Sequence, residues 1–209
     1  MTNYRVSLAA AAVLLTGACH AADTPGTPKP VAATPATAPA PATTAPRWVQ
    51  GAGSSLTFTF DQAGAASQGS FKQFNTELVY DEKSPAAGSL SVKVQIASID
   101  TQDQERNDML VGADLFDAQK FPTAQYTASS FARTTAGALE AVGKLTLRGV
   151  TKDLRLPLKI VPTAAGLELS GATAIRRLDY GVGQGDWQST EGVADEVKIQ
   201  YKVVLTKAK

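Results

Sequence analysis

Residues 197–205 read VKIQYKVVL, and this stretch decides the fold. Apolar side chains occupy every odd position, while polar side chains occupy three of the four even positions. A side-chain period of two predicts a β-strand with one apolar face and one face in water. The apolar face needs a partner surface, so the strand must belong to a larger β-structure.

Seven further runs of the same kind precede this strand from about residue 54 onward, separated by turn residues. They are centred on residues 56–60, 71–80, 90–96, 125–131, 139–147, 154–160 and 167–175. No long helical pattern intervenes, so the strands must bury their apolar faces against one another. Eight antiparallel strands close into a barrel just wide enough to be filled by side chains or to hold one small ligand. We therefore predict an all-β, eight-stranded antiparallel barrel, with a sandwich of the same strands as the alternative.

One short helix is predicted over residues 112–119, inside the longest interruption between strands. Its apolar content is Phe116, and Phe121 follows it. In a small barrel such a segment would cap one end.

Three irregularities of the backbone are expected. Phe71 and Phe74 are three residues apart, so a bulge or bend must separate them if both face inward. Pro157 cannot donate a ladder hydrogen bond, which favours a sheet edge or a bulge. Residues 179–187, DYGVGQGDW, contain three glycines at alternate positions and predict a loop that needs positive φ angles.

The N-terminal part of the chain has the composition of targeting and linker segments. Residues 1–22 carry Arg5 and then an apolar run that is too short to span a bilayer, which is typical of an export signal. Residues 23–47 are mostly Pro, Ala and Thr and hold seven of the eleven prolines, which predicts an extended, solvated linker. Residues 48–209 are long enough for one domain with its own core. The chain is therefore expected to be exported to the periplasm.

The single cysteine, Cys19, lies near the end of this export signal. Residues 15–19, LTGAC, resemble the lipobox of bacterial lipoproteins, in which the cysteine is acylated, although Thr16 replaces the preferred aliphatic residue. Ordinary signal cleavage after Ala21 is the alternative. Because a Pro-rich tether would let an anchored domain stand off a membrane, we expect any membrane contact to be made through a lipid on Cys19.

Composition excludes several classes of function. Lys and Arg together number 20 and Asp and Glu 19, a balance that favours neither nucleic acid nor an anionic membrane surface as partner. The one histidine, His20, lies at the signal junction, so the domain has no imidazole for general-base catalysis or metal binding. No hydroxyl nucleophile has a visible activating partner. We therefore predict no catalytic residues and no metal site, and a protein that is not an enzyme.

The acidic stretch at residues 100–108 invites a calcium interpretation, which its pattern does not support. Asp108 stands where an EF-hand loop needs Gly, and no Glu closes the loop at the twelfth position. We interpret the stretch as a solvated loop with helix-capping carboxylates. Arg106, in its midst, is expected to pair with one of them.

Several motifs in series resemble the YceI family of exported, lipocalin-like proteins. They are SIDT at residues 98–101, Arg106-Asn107 with Leu110, DLFD at 114–117, Phe121-Pro122, GKLTLRGVTK at 143–152, and RLDYG at 177–181. The resemblance implies an extended barrel with an elongated apolar pocket that binds a polyisoprenoid or an isoprenoid quinone without chemistry and without another cofactor. Many members carry a histidine near Asp61 and another where Met109 stands here, so head-group contacts of those histidines do not carry over. In one subgroup the resemblance also implies a b-type cytochrome as functional neighbour. A homodimer is a separate expectation.

The inward-facing apolar side chains are the candidate ligand-binding residues. They are Phe58, Phe60, Val94, Ile96, Leu145, Leu158 and Leu169 on the strands, with Phe116, Phe121, Tyr180 and Trp187 at the ends. Burying about 400 Å² of an isoprenoid tail would contribute roughly 10 kcal/mol at about 25 cal/mol per Å². The entropy lost when the flexible isoprenoid is ordered offsets a large part of this free energy, so micromolar affinity is expected. The alternatives are a filled barrel that recognises another protein through its loops and, third, an enzyme that uses the carboxylates around Arg106.

Overall fold

Eleven β-strands follow one another in the computed structural model, which describes residues 45–208. They are β1 (Arg47–Gln50), β2 (Ser55–Gln62), β3 (Ala65–Phe71), β4 (Phe74–Val79), β5 (Ser89–Gln95), β6 (Ile99–Asp100), β7 (Thr123–Arg133), β8 (Leu139–Leu147), β9 (Val150–Thr163), β10 (Gly166–Arg176) and β11 (Val193–Lys207). All pairings are antiparallel, and β1 pairs with both β4 and β11. A closed ring therefore runs β1-β4-β5-β7-β8-β9-β10-β11. This confirms the predicted eight-stranded barrel.

Three of the eight barrel strands are bent, which explains why eleven segments make eight strands. Short breaks separate β1 from β2, β3 from β4 and β5 from β6. β2 and β3 pair with each other beyond the breaks, and β6 pairs with β3. The break at residues 72–73 lets both Phe71 and Phe74 face the barrel interior, as their spacing predicted.

The one α-helix of the described residues, α1 (Gln104–Val111), lies directly before the predicted position. The prediction over residues 112–119 is wrong because the capping signals lie upstream. Asp103 accepts a hydrogen bond from the backbone N–H of Arg106 at 3.1 Å and so caps the helix N-terminus, and the helix ends at Gly112. Arg106 also lies 3.6 Å from the Asp103 carboxylate, which confirms the expected pairing.

The barrel interior is packed at one end and hollow at the other. The packed end holds Leu78, Leu90, Tyr126, Ala128, Phe131, Leu139, Ala141, Leu156, Leu158, Leu167, Leu169, Val203 and Leu205. The hollow end holds a smaller cluster of Val94, Ile96, Leu115, Ala124, Leu147, Tyr180 and Val182. The fold therefore gains its packing stability mainly from one half of the barrel, and the other half is free to hold a ligand.

Pro157 lies where the hydrogen-bond ladder between β9 and β10 ends. Five residues of each strand pair, and the ladder stops at Lys159, two residues before Pro157 is reached. Beyond that point Gly171 passes so close that a Cβ there would lie 2.2 Å from the Pro157 carbonyl oxygen. The Tyr201 hydroxyl donates a hydrogen bond to that same carbonyl. At Pro157, strand β9 is therefore a local sheet edge on the side that faces β10, as predicted. On its opposite side Pro157 pairs with β8.

The Tyr126 hydroxyl is enclosed where the packed and hollow ends meet. It lies 3.0 Å from the carbonyl oxygen of Ala141 and 3.1 Å from that of Leu154. Burial raises the pKa of Tyr126 to about 12. The hydroxyl is thus a neutral donor that ties the inner surface of β7 to β8 and β9.

We expect the substitution Tyr126→Phe to lower the free energy of unfolding by about 1 kcal/mol near neutral pH, since one intramolecular hydrogen bond contributes about that much. The wild-type advantage should then shrink as the pH rises from about 10 to about 12, because the tyrosine ionises first in the unfolded chain. Urea unfolding of both proteins across this pH range measures the difference. A constant difference at all pH values would contradict the assignment.

Candidate functional site

A cavity of about 220 Å³ occupies the hollow end of the barrel. Its walls come from β2, β3, β4, β5, β7, β8, β9, β10 and β11, together with α1 and the segments that follow β5, α1 and β10. Among the sequence-predicted residues, Phe58, Phe60, Val94, Ile96, Phe116, Leu145 and Trp187 line this cavity. Apolar walls with few polar groups are the usual surroundings of a hydrophobic ligand.

Four of the candidate ligand-binding residues lie outside the cavity. Leu158 and Leu169 belong to the packed end and lie deeper along the barrel axis than the cavity. Phe121 covers Gly149 at the β8–β9 turn, where a Cβ would lie 2.7 Å from the ring. Tyr180 is 3% exposed and is a core residue of the hollow-end cluster. The alternation of side chains shows which face points inward, but not how deep along the barrel each residue lies.

An aromatic row forms one wall of the cavity. The ring centroids of Phe58 and Phe60 are 6.1 Å apart, those of Phe58 and Phe71 are 5.3 Å apart, and those of Phe71 and Phe116 are 6.2 Å apart. Gly69 pairs with Phe58 across the strands, and a Cβ there would lie 2.3 Å from the ring. The Phe58 ring therefore lies flat over the glycine, which fixes the shape of this wall.

Sequence reasoning missed two groups of cavity residues. The first is Arg106, Met109 and Leu110 of α1, together with Leu115. The family motifs include Arg106, Leu110 and Leu115, but the residue pattern did not mark them as cavity residues, because α1 is mostly polar and has almost no apolar stripe. The second group is Val197, Ile199, Tyr201 and Val203 of β11, with Leu154, Leu156, Thr173 and Ile175 opposite. The strand alternation does place these residues on an inward face.

Two segments meet over the hollow end. The first is α1 with the residues that follow it, and the second is residues 177–193, called here the 177–193 loop. The carbonyl oxygen of Asp114 accepts hydrogen bonds from the backbone N–H of Gly183 at 3.1 Å and of Gln184 at 2.7 Å. Phe116 from the first segment and Trp187 from the second both line the cavity. The mouth of the cavity is thus built by contacts between two loops.

Arg177 organises the 177–193 loop from within. Its side chain is buried, with 5% of the residue exposed. The guanidinium donates to the carbonyl oxygens of Ala194 (3.1 Å), Val182 (3.0 Å), Trp187 (2.6 Å), Ser189 (3.1 Å) and Val193 (2.9 Å). One side chain thus donates to five backbone acceptors of this loop and the start of β11.

Glycines and a carboxylate complete the surroundings of Arg177. Gly183 has a φ of +118°, and a Cβ there would lie 2.0 Å from a guanidinium nitrogen of Arg177. Positive φ values at Gly181 (68°), Gly183 and Gly185 (55°) confirm the loop predicted for this stretch. Burial lowers the pKa of Arg177, and the charge of Asp195 partly opposes that change.

Asp195 links the loop to β11. Burial raises its pKa, but hydrogen bonds from the backbone N–H of Leu178 (2.9 Å) and from Arg176 (2.8 Å) outweigh burial, so the pKa of Asp195 lies below its ordinary value. The carboxylate is therefore charged at neutral pH and serves the loop as an acceptor.

The side chains that the described residues bring to the cavity are suited to apolar contacts. No cluster of His, Cys, Asp or Glu that could hold a metal ion occurs within residues 45–208. In the same residues, no helix is long and apolar enough to cross a bilayer. Asp103 of the acidic stretch caps α1, and Arg106, which lies 3.6 Å from the Asp103 carboxylate, lines the cavity.

A closed antiparallel barrel of eight strands with an apolar internal cavity belongs to the lipocalin-like class of proteins. The YceI-like domain family matches residues 48–205, so the chain belongs to the YceI-like family. Protein YceI of Escherichia coli O157:H7 is 38% identical over 93 residues, which cover 44% of this chain and 48% of that protein. The chain thus spans about half the length of the curated relatives it matches.

Two solved structures resemble the fold. The crystal structure of BcnA from Burkholderia cenocepacia has a TM-score of 0.69 and 31% sequence identity, and the alignment covers 72% of this chain and 94% of that one. A polyisoprenoid binding domain from Saccharophagus degradans has a TM-score of 0.63 at 14% identity, with 78% and 99% of the two chains covered. The second likeness shows a common barrel fold.

Proposed function

We propose that this barrel binds an apolar or amphiphilic long-chain molecule of the polyisoprenoid or isoprenoid quinone type, without changing it chemically. The observation that carries the proposal is the apolar cavity of about 220 Å³ at the hollow end. Its aromatic row, Phe60–Phe58–Phe71–Phe116, offers flat carbon surfaces to the branched, unsaturated units of such a chain. Dispersion contacts and release of water would supply the binding free energy.

Family membership supports the same ligand class. The Saccharophagus degradans domain that shares the barrel fold is a polyisoprenoid binding domain. The cavity here is smaller than the roughly 300–1,000 Å³ that is usual for pockets of drug-sized ligands. We therefore propose that a short isoprenoid, or one segment of a long one, occupies the hollow end.

We further propose that binding takes place in the periplasm, where an isoprenoid would need a protein to shield it from water. The support is the sequence of residues 1–22 and the lipobox-like residues around Cys19, which lie outside the described part of the chain. A homodimer and a b-type cytochrome as functional neighbour stay predictions of the sequence.

We expect protein extracted gently from its source membranes to carry a bound isoprenoid. Native mass spectrometry should show an added mass that disappears after extraction with organic solvent, and the released molecule should be identified by fragmentation. The delipidated protein should then take up an added isoprenoid with micromolar affinity. Protein that emerges without any bound mass and takes up no isoprenoid would defeat the proposal.

A further inference from the structure

Three buried polar atoms without hydrogen-bond partners lie on neighbouring strands of the barrel. Within residues 45–208, four buried side-chain atoms have no partner: Trp48 Nε1, Gln50 Oε1, Thr76 Oγ1 and Arg148 Nε. The first three belong to β1 and β4, which pair with each other. Buried polar groups in folded proteins nearly always have a partner, because an unpaired one keeps the full cost of leaving water. Three such residues on two paired strands make this part of the barrel interior a candidate polar subsite.

The strand register brings these three atoms onto one inward-facing patch. Trp48 pairs with Leu78 and packs against the packed-end core, so its side chain faces the interior. Gln50 is two residues further along β1 and therefore shares that face. Continuing the same antiparallel register brings Gln50 opposite Thr76. We call Trp48, Gln50 and Thr76 the polar patch.

Gln50 and Thr76 of the polar patch lie directly beyond the cavity floor, and Trp48 lies one inward position deeper. Thr76 is fully buried and lies on β4 between Phe74, which lines the cavity, and Leu78, which belongs to the packed end. It also pairs with Val92, another cavity residue. On the other side Gln50 pairs with Leu205, the next inward position after Val203 of the cavity wall.

We propose that the polar patch binds the uncharged polar head of an amphiphile, a hydroxyl or a carbonyl, whose tail occupies the cavity. This proposal rests on the proposed function and adds that the ligand enters head first. A hydroxyl oxygen would accept from the Trp48 indole N–H and donate to Gln50 or Thr76. Because Thr76 is fully enclosed, the half-buried Gln50 side chain turns aside to admit the head.

The surroundings of the polar patch select a neutral head over an ionised one. The one buried charged side chain in the described part of the chain, Arg177, belongs to the 177–193 loop at the hollow end and already donates to five carbonyl oxygens. The buried members of the packed-end cluster on the far side of the patch are apolar side chains and Tyr126, and Lys207, which pairs with Trp48, is exposed to water. A phosphate or carboxylate would be buried there without a counter-charge, which is far costlier than burying a hydroxyl.

The test compares farnesol with the hydrocarbon that lacks only its hydroxyl, on the delipidated full chain. The measured quantity is the ratio of the two dissociation constants, hydrocarbon over alcohol. We expect Thr76→Val to lower this ratio about fivefold, the worth of one hydrogen bond, and to leave hydrocarbon binding unchanged. Gln50→Leu should lower it similarly. Valine has nearly the shape of threonine and removes an unpaired hydroxyl, so the melting temperature of Thr76→Val should stay at or above that of the wild type.

Thr127→Val is the matched control, because Thr127 is exposed on β7 and lies outside both the cavity and the polar patch. Its ratio should equal that of the wild type. A ratio that is the same in the wild type, Thr76→Val and Thr127→Val would overturn the head-first proposal while leaving the proposed function intact. Failure of the wild type to bind either probe would overturn both.

Discussion

Replacement of Arg177 by methionine is expected to lower the free energy of unfolding by about 3–5 kcal/mol, because it removes a buried donor group from five backbone carbonyl oxygens at once. Methionine fills much of the same volume, so the loss reports the hydrogen bonds more than a cavity. At a urea dependence of about 2 kcal/mol per M, the unfolding midpoint should fall by roughly 2 M. Limited proteolysis should cut first within the 177–193 loop.

Arg176→Met is the control for that variant. The neighbouring Arg176 carries the same charge, but its side chain is 72% exposed and its contact is a surface ion pair with Asp195 at 2.8 Å. Exposed ion pairs contribute little to stability, so the midpoint should barely change. Arg177→Lys should resemble Arg177→Met, because one ammonium group cannot reach five carbonyls in a planar arrangement. Equal effects of Arg176→Met and Arg177→Met would show that the buried network does not stabilise the loop.

Filling the cavity with Ala124→Phe is expected to reduce isoprenoid affinity on the order of fiftyfold. Ala124 is buried, lines the cavity and pairs with Val94 of the same wall. If the new ring displaces roughly 100 Å² of ligand surface, about 2.5 kcal/mol of binding free energy is lost at about 25 cal/mol per Å². Binding is measured by displacement of a fluorescent lipid from the delipidated protein.

Two further variants separate cavity filling from unfolding. Ala124→Leu adds a smaller side chain and should give an intermediate loss of affinity. Ala172→Phe places the same ring on an exposed position of β10, outside the cavity, and should leave the affinity unchanged. Far-ultraviolet circular dichroism and the melting temperature establish that each protein is folded. A folded Ala124→Phe protein that binds like the wild type would mean that the ligand lies elsewhere.

The barrel could be predicted from the sequence because its strands carry a period of two, which needs no tertiary information. The alternation over residues 197–205 corresponds to inward Ile199 and Val203 and outward Lys198 in β11. The spacing of Phe71 and Phe74 predicted a bulge or bend in the strand, and the structure has a break at residues 72–73. The alternation and spacing of side chains along single strands are therefore enough to predict the sheet.

Depth along the barrel could not be predicted in the same way. Leu158 and Leu145 both face inward, yet one packs in the core and the other lines the cavity. Which of these occurs depends on strand register and on the side chains opposite, and neither can be read from one strand alone. Apolar content at Phe116 does not locate the helix, because the cap at Asp103 sets where the helix begins.

The hydrogen-bond ladder between β9 and β10 ends before Pro157, so the barrel is not fully hydrogen-bonded at this place. Around the rest of the ring, widening would break interstrand hydrogen bonds, and each broken bond would cost free energy. Between β9 and β10, beyond Lys159, no such ladder holds the strands together, and Leu154, Leu156, Thr173 and Ile175 line the cavity along that stretch. Separation of β9 and β10 along this stretch would break no ladder hydrogen bond and would cost only side-chain contacts and the hydrogen bond from Tyr201 to Pro157.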